Sequence, residues 1–419
     1  MNSHKPIPSV FRWLISLFMM GCLLIPSIAV QAQATVSNTS VEYKFGEQIS
    51  FKALVQSPLP IEKAFVIFRV SGESVTRSSE AEIIYQDGTT YQIASTYPLD
   101  NQPLRAFTQV EYRFQARLQG GEEFNSPSLS FEYLDNRVEW QNLEQAPFHI
   151  AWYAQDDIAF GDNALKTAQE GLKKINSLLP IQTPEHIDIY IYPNASTLQE
   201  VLILSGQDWI AGHADPDLGV ILAAIPSRPE QSLVMDQIIP HEMMHILVYE
   251  TVREGYDNLP TWLVEGLASL AELYPNPDYQ ILLNNALERD TLLKMEDLCA
   301  PFPRDASSAL LAYAQSASFT RFLHQQFGAS RMDDLMQGYT DGLECSRGVE
   351  ITLGTNLKQL ERQWREDVLG EDPARAAAEN LLPWLLLALV VLVAPIGLAL
   401  SRMSRKSDQP AKLDPRDIR

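Results

Sequence analysis

The chain has 419 residues, 46% of them hydrophobic and 20% charged, which is enough for two or three globular domains with ordinary cores. Its formal net charge of −21 argues against nucleic acid as a partner, because a phosphate backbone is recognised by a basic surface.

An apolar run near the N-terminus predicts a secretory signal peptide over residues 1–34. Lys5 and Arg12 precede the apolar residues 14–30, and Ala32-Gln33-Ala34 supplies a cleavage site of the small-x-small type. The alternative is an N-terminal anchor that is not cleaved.

A second apolar run predicts a transmembrane helix over residues 381–400, which carry no charge and are long enough to span a hydrocarbon core. Arg402, Arg405 and Lys406 follow, so the positive-inside rule predicts a cytoplasmic tail at 401–419. A buried core helix is the alternative. The sequence therefore predicts a single-pass protein of the cell membrane with residues 35–378 outside the cytoplasm.

Two cysteines, Cys299 and Cys345, remain after removal of the predicted signal peptide. In an oxidising compartment they allow one disulfide. Two free thiols are the alternative, because the sequence does not show how closely the cysteines approach.

Residues 35–140 are predicted to form an all-β sandwich. Apolar and polar residues alternate over residues 49–55, 110–118 and 129–133, as they do in strands with one buried face. Gly120-Gly121 predicts the turn of a hairpin. The strand around Tyr112 and Phe114 with its Gly-Gly turn resembles the last hairpin of a fibronectin type III or immunoglobulin-like domain. We expect an accessory domain without a catalytic site.

Residues 146–370 have a mixed pattern that predicts an α+β domain. Apolar residues recur at helical spacing over 165–179, alternate as a strand over 187–191, and form a short run at 219–225. Helices are expected to dominate from Asp236 to about Val368.

His241-Glu242-Met243-Met244-His245 carries the most specific chemical signal in this domain, the pattern H-E-x-x-H. On a helix, four residues turn through about 400°, so both imidazoles lie on one face and can reach one Zn²⁺. Glu242 is then free to act as a general base. On its own, the motif is also compatible with a helix that carries two unrelated histidines.

Glu265 is the expected third ligand, within the run W-L-V-E-G-L-A at residues 262–268. A second helix starting near Pro260 would return this carboxylate to the metal, and Gly266 would allow close packing against the first helix. Two histidines and one glutamate with an open fourth position are typical of a catalytic zinc site.

The two motifs together resemble those of the gluzincin metallopeptidases, and most closely the peptidase MA-like proteins of bacterial surfaces. The resemblance implies one Zn²⁺ per chain, held by His241, His245 and Glu265, with Glu242 as the base. It also implies a sheet whose edge strand lines the substrate cleft, and we expect residues 219–225 to form that strand.

Pro240 departs from an ordinary helical pattern, because a proline there either opens the helix or kinks it, and the motif keeps its geometry if the helix begins near this proline. The G-x-M-E-N motif of aminopeptidases is absent. For the oxyanion donor, Tyr313 is the candidate, although a core tyrosine would give the same pattern. His213 is expected in a loop, and the sequence offers no partner for His149, His186 or His324.

The sequence thus predicts a membrane-anchored, extracytoplasmic zinc metallopeptidase that hydrolyses peptide or protein substrates with an activated water. The alternative is a catalytically inactive surface module for binding or adhesion. The intact Glu242 favours the enzyme, because a structural zinc has no use for a base.

Overall fold

The computed structural model describes residues 34–100, 102–153, 158–202, 212–226, 229–372 and 381–397. Residues 1–33 of the predicted signal peptide and the predicted tail lie outside these ranges. The chain divides into two compact units, Met1–Arg137 and Val138–Arg419.

The first unit is an antiparallel β structure. The strands described in it are β1 Thr35–Lys44, β2 Gln48–Gln56, β3 Ile61–Val70, β4 Arg77–Asp87, β5 Thr90–Pro98, β6 Thr108–Leu118, β7 Glu123–Asn125 and β8 Leu129–Tyr133. Strand β4 pairs with β3 through its first half and with β5 through its second half, so it links two groups of strands. The all-β prediction is confirmed, while the likeness to fibronectin type III stays a prediction.

The core of this unit forms where apolar side chains alternate along the strands. Phe51 of β2 is fully buried and lies 5.4 Å from Phe68 of β3 and 5.2 Å from Tyr112 of β6, between ring centroids. The predicted turn is present at Gly120-Gly121, where both residues have positive φ. Period-two patterning therefore predicted the strands, because each strand has one buried face.

The second unit is built around a five-stranded sheet with the order β12-β13-β11-β10-β9. Its strands are β9 Trp140–Gln145, β10 Phe148–Tyr153, β11 Ile187–Tyr192, β12 Gly212–Asp215 and β13 Val220–Ala224. The three inner strands are parallel, and β9 and β12 pair antiparallel at the two edges. One face packs on the helices through apolar residues such as Ile189, Ile150 and Ile221.

Helices make up most of the rest of the second unit. The labelled α-helices are α1 Ile158–Leu178, α2 Ala195–Val201, α3 Gln231–Val252, α4 Thr261–Ala271, α5 Asp278–Glu288, α6 Ala306–Thr340, α7 Cys345–Leu353 and α8 Leu357–Asp367. Short 3-10 helices lie at Arg253–Asn258 and Asp297–Cys299. Helix α6 is interrupted at Gly328, where φ is 77°. The helical character expected after Asp236 is confirmed.

Cys299 and Cys345 form a disulfide, with their Cα atoms 6.1 Å apart. Of the two possibilities that the sequence leaves open, the structure selects the bridge. It connects the short helix Asp297–Cys299 with the start of α7.

Residues 381–397 are helical, with exposed side chains. Among the described residues, no helix is both long and apolar enough to cross a membrane. The predicted span continues through residues 398–400, which lie outside the described part of the chain, and the membrane span stays a prediction.

Candidate metal centre

Helix α3 carries the H-E-x-x-H motif and begins at Gln231, so Pro240 lies inside the helix and does not open it. Proline has no N–H to donate to the carbonyl of Asp236, four residues earlier. That carbonyl instead accepts a hydrogen bond of 2.8 Å from the N–H of Leu273, just beyond helix α4. Because of the proline, the carbonyl of Asp236 on α3 is available to accept a hydrogen bond from the residue that follows the end of α4.

The two histidines of the motif lie one turn apart, with ring centroids separated by 5.3 Å. Glu265 projects from α4 between them. Its Oε2 lies 3.5 Å from His241 Nε2 and 3.8 Å from His245 Nε2. The structure therefore brings together the three residues predicted as ligands.

The second nitrogen of each imidazole is held by a different partner. His241 Nδ1 lies 3.1 Å from Glu272 Oε1, and His245 Nδ1 lies 3.1 Å from the hydroxyl of Tyr256. Because a carboxylate only accepts, Nδ1 of His241 carries the proton and its Nε2 is left as a donor atom for a cation. Such outer partners orient histidine ligands and raise their basicity.

This donor set fits a metal ion. The three ligand atoms lie within 4.8 Å of one another. Ligands about 2.1 Å from a tetrahedral zinc lie about 3.4 Å apart, close to the observed separations. Two imidazole nitrogens and one carboxylate oxygen leave a fourth position open. The His241–His245–Glu265 set can therefore hold one divalent ion.

The protonation of the three groups is strongly coupled. Burial lowers the pKa of His241, but hydrogen bonds to Glu265 and Glu272 outweigh it and raise that pKa well above its usual value. Burial prevails at His245 and lowers its pKa. At Glu265 burial raises the pKa, but the two histidines outweigh it and lower it. A metal ion must therefore displace a proton at His241, and binding should weaken as the pH falls.

Glu242 lies beside this set, nearly buried, and faces strand β12. A Cβ added to Gly212 would lie 2.5 Å from Glu242 Oε1 and 2.7 Å from Ile238 Cγ2. Only glycine allows the backbone of β12 to come this close to the carboxylate. The edge strand and the candidate base are thus in direct contact.

The edge strand of the cleft differs from the prediction. Residues 219–225 do form a strand, β13, but it lies inside the sheet between β11 and β12. The edge is β12, which also contains His213, expected in a loop. Gly-His-Ala-Asp is short and mostly polar, so its pattern does not predict a strand, whereas the apolar run at 219–225 does.

A cavity of about 510 Å³ opens over the metal ligands, and three tyrosines contribute to its wall: Tyr256, Tyr279 and Tyr313. Burial raises the pKa of Tyr313, and the charges of Glu265 and Glu242 raise it further. Burial and nearby carboxylates also raise the pKa of the other two. All three hydroxyls therefore remain protonated hydrogen-bond donors at neutral pH.

Gly266 has a different role from the predicted one. A Cβ there would lie 2.0 Å from Thr320 Oγ1 and 2.6 Å from the carbonyl oxygen of Ser316, both on α6. The glycine therefore allows α4 to approach α6 rather than α3. A small residue signals close packing, but the sequence does not say which helix is the neighbour.

Glu272 and Tyr256 are functional residues that sequence reasoning missed. Glu272 caps the C-terminus of α4 seven residues after Glu265, which is about two helical turns, and it therefore lies near the same face. That spacing was a usable signal. Tyr256 lies in a 3-10 helix, where no periodicity points to the site.

Comparison with known proteins agrees with this geometry. Residues 167–370 match the family model of the Peptidase MA superfamily. The match agrees with the resemblance that the two motifs carry, and it makes this segment peptidase-like. No curated protein sequence matches the chain.

Three solved structures have a low similarity to the chain. Leukotriene A4 hydrolase from Saccharomyces cerevisiae is 11% identical, over 80% of this chain and 66% of that chain, with a TM-score of 0.35. OgpA from Akkermansia muciniphila is 13% identical, over 26% and 32%, with a TM-score of 0.20. A myokine structure is 14% identical, over 25% and 99%, with a TM-score of 0.19. The chain spans less than two thirds of the first two proteins.

Proposed function

We propose that the protein is a zinc metallopeptidase that is anchored in the cell membrane and hydrolyses peptide bonds outside the cytoplasm. The observation that carries the proposal is the convergence of His241 Nε2, His245 Nε2 and Glu265 Oε2 at the floor of an open cavity. Zinc is the proposed ion, because this donor set is the one that catalytic zinc prefers.

When bound, zinc supplies a Lewis acid that polarises a carbonyl and makes water acidic enough to act as a nucleophile near pH 7. The remaining steps are carried out by side chains of the protein. Glu242 accepts the proton of the attacking water and returns it to the leaving amine. Its burial against Gly212 keeps its carboxylate in one position.

An extended peptide is the proposed substrate, lying along β12. This strand lies at the edge of the described sheet, which is the position where a peptide can extend a sheet. Tyr313 is the proposed donor to the oxyanion that develops on the scissile carbonyl. Tyr256 is engaged with His245, which leaves Tyr313 as the better candidate for this role.

Membrane attachment rests on the sequence. The uncharged residues 381–400 and the basic residues behind them are the support for this part of the proposal. The disulfide agrees with an oxidising compartment, where such bonds persist.

Digestion of a broad peptide library tests the activity. Full-length protein in detergent, loaded with one zinc ion, should cleave a subset of peptides, with the products read by mass spectrometry. Removal of the ion with 1,10-phenanthroline should abolish cleavage, and added zinc should restore it. If the zinc-loaded protein cleaves nothing, the proposal is wrong and the inactive binding module takes its place.

A further inference from the structure

A second group of metal-ligating side chains lies on the five-stranded sheet, outside the wall of the cavity. We name His149, His186 and Asp188 the sheet-face cluster. His149 of β10 and Asp188 of β11 are partners in the parallel register, so their side chains share one face of the sheet. His186 precedes Asp188 by two residues and lies on the same face. Their neighbours Ile150 and Ile187 point the opposite way, into the core.

Both imidazoles meet the same carboxylate oxygen. His149 Nδ1 lies 2.6 Å from Asp188 Oδ1, and His186 Nε2 lies 3.1 Å from it. The rings are stacked, with centroids 6.2 Å apart and an angle of 16° between their planes. The ligand atoms of the three residues lie within 4.8 Å of one another, as they do in the His241–His245–Glu265 set.

The other nitrogen of His149 shows how this ring is oriented. His149 Nε2 lies 3.0 Å from Asn142 Oδ1, and Asn142 Nδ2 donates to the carbonyl oxygen of Trp140 at 3.3 Å. That second contact accompanies an amide whose oxygen faces the histidine. An amide oxygen only accepts, so Nε2 of His149 carries a proton and donates it.

Nδ1 of a neutral His149 then presents a lone pair toward an oxygen of Asp188 at only 2.6 Å. Two acceptors at that distance repel each other unless a positive charge lies between them. Either a second proton on the imidazole or a metal ion removes the conflict. One proton would be enough to bridge His149 and Asp188. The presence of His186 on the same oxygen favours the metal ion, because it supplies a second nitrogen ligand.

We propose that the sheet-face cluster is a second divalent-metal site, with His149 Nδ1, His186 Nε2 and an oxygen of Asp188 as ligands for zinc or a similar transition-metal ion. Two nitrogens and one oxygen suit such an ion better than magnesium or calcium, which prefer oxygen. The observed separations of 2.6 and 3.1 Å need only a small expansion toward the roughly 3.4 Å between ligands of a tetrahedral ion.

The two proposed sites differ in exposure. The side chain of His186 is 61% exposed, whereas those of His241 and His245 are 16% and 12% exposed. Water can therefore complete the coordination of the second ion, and we expect it to bind more weakly than the first. By tying β10 to the start of β11, it would stabilise the folded protein in proportion to its occupancy.

Titration of metal-free, full-length protein with Zn²⁺ tests this site. Calorimetry should show two ions per chain, with the weaker one removed or weakened at least about 10-fold by His186→Gln and by Asp188→Asn. Glu185→Gln is the matched control, since it removes a charge from an adjacent exposed residue outside the cluster and should leave both ions. His241→Ala should remove the tighter ion and keep the weaker.

Binding of a single ion would overturn the proposal, as would two ions that both survive His186→Gln and Asp188→Asn. In those cases a proton, and not a metal ion, accounts for the short distance between His149 Nδ1 and Asp188 Oδ1. Because the readout is metal binding at residues outside the cavity, it is independent of whether the protein cleaves peptides. His186 is exposed, so its replacement should not prevent folding, and circular dichroism of the variant checks this.

Discussion

At the residue scale, the geometry of the candidate metal centre depends on the residues that hold the second nitrogen of each histidine. Glu272 and Tyr256 each hold one Nδ1, which turns both Nε2 atoms toward Glu265. A ring without such a partner can rotate or change tautomer, and the metal site then weakens.

Two tyrosines of the cavity are expected to differ in function. Tyr256→Phe removes the partner of His245 and should weaken zinc binding about 10–100-fold. Tyr313→Phe should leave zinc affinity unchanged and lower kcat about 100–1000-fold, because an oxyanion donor acts only in the transition state. Zinc titration together with kcat for one cleaved peptide separates the two. Equal effects of both variants on zinc affinity would contradict the role of Tyr313 as the oxyanion donor.

Gly212 should be necessary for activity without binding metal. In Gly212→Ala the new Cβ would displace the carboxylate of Glu242 and the Cγ2 methyl of Ile238, which are side-chain and not backbone atoms, so the fold should persist. We expect kcat to fall about 10–100-fold, since misplacing a catalytic group by about 1 Å has effects of this size. Zinc content should stay at the wild-type level. Gly397→Ala, whose Cβ meets no atom within 4 Å, is the matched control and should change neither value. Full activity of Gly212→Ala would contradict the proposed position of the base.

The ligand candidates could be predicted from the sequence, because their chemistry depends on the spacing within one helix and on a second short motif that follows it. His241, Glu242 and His245 have fixed mutual positions on any helix, and W-L-V-E-G places Glu265 on the next. The contact of Gly212 with Glu242 could not be predicted, because it joins residues 30 positions apart through the approach of a sheet to a helix.

At the scale of elements, two connections hold the helices that carry the ligands. One is the hydrogen bond from Leu273 to the Asp236 carbonyl that Pro240 leaves available. The other is the disulfide, whose Cys345 Sγ accepts a hydrogen bond of 3.4 Å from Nε1 of the buried Trp262 on α4. Both act on the helix that carries Glu265.

Removal of the disulfide should destabilise the protein. The bridge closes a loop with a sequence separation of 46, which corresponds to about 3–4 kcal/mol of unfolding free energy in the chain-entropy model. Cys299→Ser with Cys345→Ser should lose about that much in urea denaturation. A reductant should lower the stability of the wild type similarly and have no effect on the double variant. A wild type that is insensitive to reductant would contradict this role.

The elements were easier to predict than their arrangement. The strands at 187–191 and 219–225 follow from apolar runs, and the helix around residues 165–179 follows from its period. The order of strands does not, because the edge position of β12 is decided by pairing with β13 rather than by the composition of either strand. Between the two possibilities for Pro240, helix start or proline inside the helix, the sequence could not decide, because tertiary contacts such as its packing on Gly171 are not visible in it.

At the scale of the whole molecule, the proposal joins a β unit, a peptidase unit and a membrane anchor in one acidic chain. Residues 381–400 should keep the full-length protein in the membrane fraction after alkaline extraction, because the apolar run has the length of a spanning helix. A chain shortened to residues 1–378 should appear in the soluble fraction.

Protease added to intact cells should digest the peptidase unit and spare an epitope placed near Asp414. Digestion of that epitope would contradict the predicted orientation. Extraction of the full chain by alkali would contradict the predicted membrane anchor.

The central claim is that two carboxylates of one site do different work, and one comparison tests it most directly: zinc content and peptide hydrolysis measured on the same samples of wild type, Glu242→Gln and Glu265→Gln. Glu242→Gln should keep one zinc at the centre and lose hydrolysis at least about 100–10,000-fold, because its amide cannot accept a proton. Glu265→Gln should lose zinc affinity and activity together. If Glu242→Gln hydrolyses peptides as the wild type does, or loses the ion while Glu265→Gln keeps it, the assignment of base and ligand is wrong.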